Sequence, residues 1–178
     1  MITFKVKNKE KEVKFEYTNS SINICLDGEL SSGDILCASS DWSNFLKIQF
    51  DETLKESIVY LPNKVFEFTV PDECEIIKCY GQEAFKSDTH KIKISEPNEE
   101  EVYSYRLLSL NPHAQHDVNK YFPYAEANFV TRNDPCFYAR NAIDGVCHND
   151  NHGNYPYHSW AGGAREDLEY YIHFGREI

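Results

Sequence analysis

The first ninety-odd residues alternate apolar and polar positions with a period of two. Ile2, Phe4 and Val6 alternate with Thr3 and Lys5, and Val13, Phe15 and Tyr17 with Lys14 and Glu16. Leu46, Ile48 and Phe50 alternate with Lys47 and Gln49, Phe66, Phe68 and Val70 with Glu67 and Thr69, and Ile92 and Ile94 flank Lys93. This is the pattern of a half-buried strand. Shorter apolar runs at 22–26, 35–38, 57–61 and 76–80 add further candidates, and Asp27-Gly28, Gly33-Asp34, Pro62-Asn63, Pro71-Asp72 and Tyr80-Gly81 mark turns between them. About eight short strands at this spacing predict an antiparallel sandwich or barrel.

The pattern then changes. In 95–111, Ser95 followed by a proline and three glutamates reads as a helix start, with acids near the positive end of the dipole. The expected organisation is an N-terminal β-sandwich-like domain over 1–95, a helical linker over 96–111 and a second unit over 112–178. In that unit Phe137, Arg140 and Asn141 share one face of a short helical element, Ala139, Ala142 and Ile143 share another, and Gly145 is a natural left-handed stop. Leu168, Tyr170, Ile172 and Phe174 alternate in one clear strand closed by Gly175. Between these elements lies a long polar loop, 144–167, of the kind that carries function.

Composition narrows the function. The chain has 178 residues, 41% of them hydrophobic and 26% charged, an ordinary globular balance. Its formal charge of −11 argues against nucleic acid or an anionic membrane as main partner. No apolar run approaches the length of a membrane span. The basic start carries no apolar stretch of a secretory signal, which places the expected location in the cytoplasm. With six cysteines and no such signal, free thiols are expected rather than disulfides.

The chemistry-bearing residues gather in the second unit. Tyr155, Tyr157 and Trp160 supply rings, and His152, His158, Asn154, Arg165 and Asp167 supply polar heads, the combination that suits a sugar or polyol with its hydroxyls and apolar C–H faces. Two bland readings stand beside it: Trp160 and Tyr157 as core, and Arg165 paired with Asp167. Cys147, His148 and His152 raise a transition-metal alternative, but Asp150, Asn151 and Gly153 argue for loop rather than helix. His113 and His116, three apart after Pro112, read as a loop pair. Asp144 and Asp167 are the carboxylates to consider for glycoside cleavage, as a small hydrolase.

The ordered set Ala142, Asp144, Gly145, Trp160, Phe174 and Gly175 resembles the galactose-binding-like, discoidin-type (F5/8 type C) jelly-roll family, closest to a bacterial carbohydrate-binding subgroup with an N-terminal β-domain. The resemblance implies an all-β chain ending in the first part of a jelly roll, and non-catalytic binding of a carbohydrate or polyol through the loop 144–167. It also implies a structural calcium, with Asp144 matching the family's loop and Asn149 and Asn151 as neighbouring oxygens. Since a jelly roll needs about eight strands, the expected alternative is a structural or assembly protein: a homo-oligomer, or a chain completed by a partner, joined through an open sheet edge.

Overall fold

The computed structural model describes residues 1–147 and 154–177. The first eight strands form two four-stranded antiparallel sheets. The strands are β1 (Ile2–Lys7), β2 (Val13–Asn19), β3 (Ile22–Asp27), β4 (Ile35–Ser40), β5 (Phe45–Gln49), β6 (Ser57–Tyr60), β7 (Val65–Thr69) and β8 (Thr89–Ser95). One sheet has the order β2-β1-β4-β7 and the other β3-β8-β5-β6. Their inward positions are the apolar members of each alternation. Ile2, Phe4, Leu36, Ala38, Phe66 and Phe68 from one sheet meet Ile22, Leu46, Ile48, Val59, Ile92 and Ile94 from the other in a single core. The all-β, sandwich-like expectation is what the chain adopts. β2 is the least buried strand: Val13 and Tyr17 are exposed and only Phe15 packs on the core.

Two local expectations are corrected. The run 76–80 is not a strand. A short helix α1 (Glu73–Glu75) leads into a π-helical turn, Ile76–Tyr80, because the Asp72 carboxylate accepts from the Glu75 N–H and caps the segment. The helix α2 (Glu99–Tyr103) starts not at Ser95, which ends β8, but at Asn98. There Asn98 and Glu101 exchange side-chain-to-backbone hydrogen bonds in a capping box. The outer Glu101 oxygen takes Lys47 of β5 at 2.6 Å, docking the helix on the sheet.

Residues 111–122 run back along the sandwich. The Tyr60 and Phe122 backbones pair reciprocally at 2.7 and 2.9 Å. The Gln115 amide both donates to and accepts from the Thr69 backbone, and the Tyr121 hydroxyl donates to the Glu67 carbonyl. Beyond this strap come β9 (Tyr124–Ala127) and β10 (Tyr170–His173), an antiparallel pair, and three 3-10 turns, Thr131–Asn133, Pro135–Phe137 and Ala139–Ile143. The last turn rests on β9 through small side chains: Ala114, Ala125, Ala139 and Ile143 form a second core, edged by Trp160, Tyr170 and Ile172. No helix among the described residues is long and apolar enough to cross a membrane. All six cysteines are unbridged; Cys37, Cys79 and Cys136 are buried and Cys25, Cys74 and Cys147 exposed.

Arg140 joins the two cores. It is 1% exposed. Its guanidinium donates to the carbonyls of Cys79, Pro112 and Ala114 and to the Asn141 side chain, and lies 4.3 Å from the Tyr80 ring centroid. A cation out of water is tolerated only when its donors are satisfied. Here backbone carbonyls and an aromatic face do so in place of a carboxylate. Beside it, His113 is fully buried between Phe50 and Phe68, and its Nε2 accepts from the Phe50 N–H at 3.1 Å. That acceptor role leaves the ring proton on Nδ1.

Two predictions follow from this junction. Arg140→Met strips the buried Cys79 and Pro112 carbonyls of their Arg140 donor, Ala114 keeping Tyr80, and should destabilise by on the order of 2–6 kcal/mol, read from urea unfolding. For His113, burial and then the nearby Arg140 charge push its pKa down to about 3 from an ordinary 6.5. Between these values the unfolded chain takes up a proton that the folded chain refuses. Stability should be full above about pH 6.5 and fall toward about pH 3, with a slope on the order of 1.4 kcal/mol per pH unit from this group. His113→Gln keeps an acceptor for Phe50 and should flatten that slope in matched unfolding curves.

Candidate functional site

The loop after the Ala139–Ile143 turn is pinned first at Asp144. Gly145, at φ 84°, turns the chain there, as the sequence predicted. One Asp144 oxygen accepts from the Val146 N–H at 2.9 Å, and the other meets His158 Nδ1 at 2.7 Å. Asp144 is buried and the His158 side chain about one quarter exposed. His158 has a positive φ of 53°, unusual for a side chain of this kind. The pair therefore ties the start of the loop to a position fourteen residues further along it.

The rings expected to meet a ligand separate into two groups. Tyr155 and Tyr157 lie with centroids 4.8 Å apart, and Tyr157 packs on Phe137 at 5.7 Å. Tyr155 is exposed, with Lys78 Nζ 5.6 Å from its centroid. Lys78 is shared with Asp134 at 2.9 and 3.0 Å. Asp134 in turn caps the Pro135–Phe137 turn by accepting from the Cys136 N–H. Partial burial pushes the Asp134 carboxyl up, but Lys78 and the Cys136 amide outweigh it and hold it below the usual carboxylate range. Desolvation and a hydrogen bond with Tyr155 raise the Tyr157 phenol, which stays a donor at neutral pH. Two tyrosine faces, an ammonium and a carboxylate thus line one surface.

The second group surrounds Phe129. Trp160 donates its indole N–H to the Phe129 carbonyl at 2.9 Å and packs on Tyr170 at 5.3 Å. It belongs to the second core, the bland alternative weighed for it. Arg165 lies 4.7 Å from the Phe129 ring centroid and makes a bidentate pair with Asp167 at 2.8 and 2.6 Å. That pairing raises the Arg165 pKa and lowers that of Asp167. The Asp167 carbonyl accepts from the Asn128 amide, whose oxygen accepts from the Glu169 N–H at 3.0 Å. Arg165 and Asp167 so brace the entry to β10 from one side, and each acid considered for glycoside cleavage already holds a partner.

His152, Asn149 and Asn151, with His148 of the transition-metal alternative, lie outside the described residues. Of the proposed calcium ligands only Asp144 is described, and each of its oxygens already has a partner, so a cation there must compete with the His158 ring. Among the described residues no group of three or more His, Cys, Asp or Glu side chains is placed to hold a metal ion. His113 and His116 do not act together: His113 is in the core, and His116 stacks on Tyr138 at 3.7 Å. Sequence reasoning missed Lys78, Asp134 and Phe137. The Asp134-Pro135 pair was the one visible cue, as a turn start; Lys78 sat in the segment read as a strand.

The chain matches no protein-family model, no curated protein and no solved structure.

The Asp144–His158 staple is open to a double-mutant cycle. Asp144→Asn and His158→Ala should each destabilise by about 1–3 kcal/mol. The double variant should lose less than the sum, since either change removes the same contact, with urea midpoints as the measure.

Proposed function

We propose that this protein is a non-catalytic carbohydrate-binding protein, with the ligand lying on Tyr155 and Tyr157 and its hydroxyls meeting Lys78, Asp134 and the loop carrying His158. The observation that carries the reading is the exposed Tyr155 face beside Tyr157, flanked by a fixed cation and anion. Sugars are bound by such surfaces because their C–H faces lie on rings while paired polar groups fix the hydroxyls. Pre-arrangement helps: Asp134 is held by its turn and Lys78 by Asp134, so little side-chain freedom is lost on binding. The likeness of the ordered Ala142–Gly175 positions to discoidin-type jelly rolls supports the same class. In this reading Trp160, Arg165 and Asp167 position the loop rather than touch the ligand. A calcium ion at Asp144 would take the place of the His158 ring.

A second reading, assembly through an open edge, is favoured by one observation. Among the described residues β9 and β10 form a sheet of two strands, and Tyr171 stands exposed on it.

A thermal-shift screen against mono- and oligosaccharides, run with calcium and with EDTA, tests both. A sugar at a hundredfold excess over its Kd adds about 2.7 kcal/mol and should raise Tm by several degrees. Tyr155→Ala, at an exposed ring, should abolish that rise while leaving the unliganded Tm nearly unchanged; Trp160→Ala is unsuitable because it empties core. A rise kept in Tyr155→Ala, or no rise with any sugar, overturns the site. A dimer by light scattering in the same preparation would then favour assembly.

A further inference from the structure

Sharing no lining residue with the tyrosine pair, Arg106 and Arg176 line two adjoining parts of a cleft that also share Leu108. Its larger part, between α2 and the end of β10, has a volume of about 510 Å³ and is walled by Val102, Tyr103, Tyr105 and Leu108. Its narrow inner end is closed by Phe45, Tyr60, Phe122 and Phe174, with both arginines again in the wall. The Arg176 guanidinium lies 4.9 Å from the Phe45 ring centroid and 5.7 Å from that of Tyr103. Arg106 is half-buried, and its Nε is fully buried with no hydrogen-bond partner.

Two like charges in a shared, partly dry cleft are unfavourable by themselves. Burial, and then the Arg176 charge, lower the Arg106 pKa, the mark of a cation short of an anion. The chain has 29 acidic against 18 basic residues. Yet among the described residues neither guanidinium forms an ion pair, whereas Arg165, Lys47 and Lys78 each do. Burying an unpaired donor costs about 1–3 kcal/mol, and paired arginine forks match the oxygens of a carboxylate or phosphate bidentately. The aromatic walls add faces for a flat or apolar body.

We infer that the Arg106–Arg176 cleft binds a small organic oxyanion, a carboxylate or phosphate monoester whose body lies in the wide part against Tyr103, Tyr105 and Leu108. The site is separate from the tyrosine pair and does not depend on the sugar reading. Tyr103 and Tyr105 are exposed at its mouth, so a ligand can enter without opening the sandwich.

Isothermal titration of the whole chain with benzoate, phenyl phosphate and neutral benzyl alcohol tests this. The expected result is saturable binding of at least one anion, weaker at higher salt, with benzyl alcohol at least tenfold weaker. Arg176→Gln, near the surface, should weaken the anion at least tenfold, and Tyr155→Ala should leave it unchanged. Arg106→Gln should do the same as Arg176→Gln; if it fails to fold, the Arg176 variant alone decides. Preference for benzoate assigns a carboxylate ligand and preference for phenyl phosphate a phosphate monoester. No saturable binding of either anion, equal binding of benzyl alcohol, or unchanged affinity in Arg176→Gln overturns the inference.

Discussion

The fold turns on one guanidinium. Arg140 sits in a 3-10 turn of the C-terminal part, yet its donors end on Cys79 of the sandwich and on Pro112 and Ala114 of the strap. The Ala114 carbonyl is shared, accepting from Tyr80 as well. A neutral side chain of similar size could fill the space but not donate to three carbonyls that face inward from two segments, the sandwich and the strap. The cation therefore makes the positions of those segments interdependent, and His113, wedged beside it, is held neutral partly by its charge. A network of this kind is all-or-none: complete it rigidifies, incomplete it is worse than an apolar core. The candidate binding surface inherits that rigidity, since Lys78 lies one residue before Cys79 and Asp134 one turn before Arg140.

Much of the sandwich was legible. A period of two with one polar face leaves little choice where one face must be dry, and β1 to β8 fall where Ile2 to Val6, Phe66 to Phe68 and the other alternations stand. The failures have physical causes. The run 76–80 is apolar enough for a strand, and only the Asp72 cap, a contact between side chain and backbone, turns it into a helix. β9, with the sequence Tyr-Ala-Glu-Ala, has weak strand propensity and becomes a strand because β10 pairs with it. The Ala139–Ile143 turn is wedged between two layers, so Ala139 is buried in the second core and Arg140, on another side, is buried against the strap and Tyr80.

The site was legible as a loop but not as a surface. The rings of 155–160 were visible as a cluster in the chain; their division into a tyrosine pair beside Lys78 and a tryptophan packed on the second core was not. Lys78 and Asp134 meet across 56 residues, and no local pattern announces such a meeting. The same holds for Arg106 and Arg176, which are unremarkable in sequence and become a charge pair only when the end of β10 returns to α2.

The strap over 111–122 has a further consequence. β6 and β7 are the outermost strands on one side of the two sheets, and the strap meets both: Phe122 pairs with the Tyr60 backbone, while Gln115 imitates a strand residue against Thr69. Each sheet thereby loses one of its two edges as a template for foreign strands, while β2 and β3 remain at the other edges. During synthesis the sandwich sequence leaves the ribosome before the strap does. For the interval needed to add those residues, a few seconds at about 5–20 residues per second, a nascent sandwich has two bare flanks. The time for which the β6 and β7 edges lie bare is thus set by the order of the chain's segments, and it closes when Gln115 and Phe122 arrive.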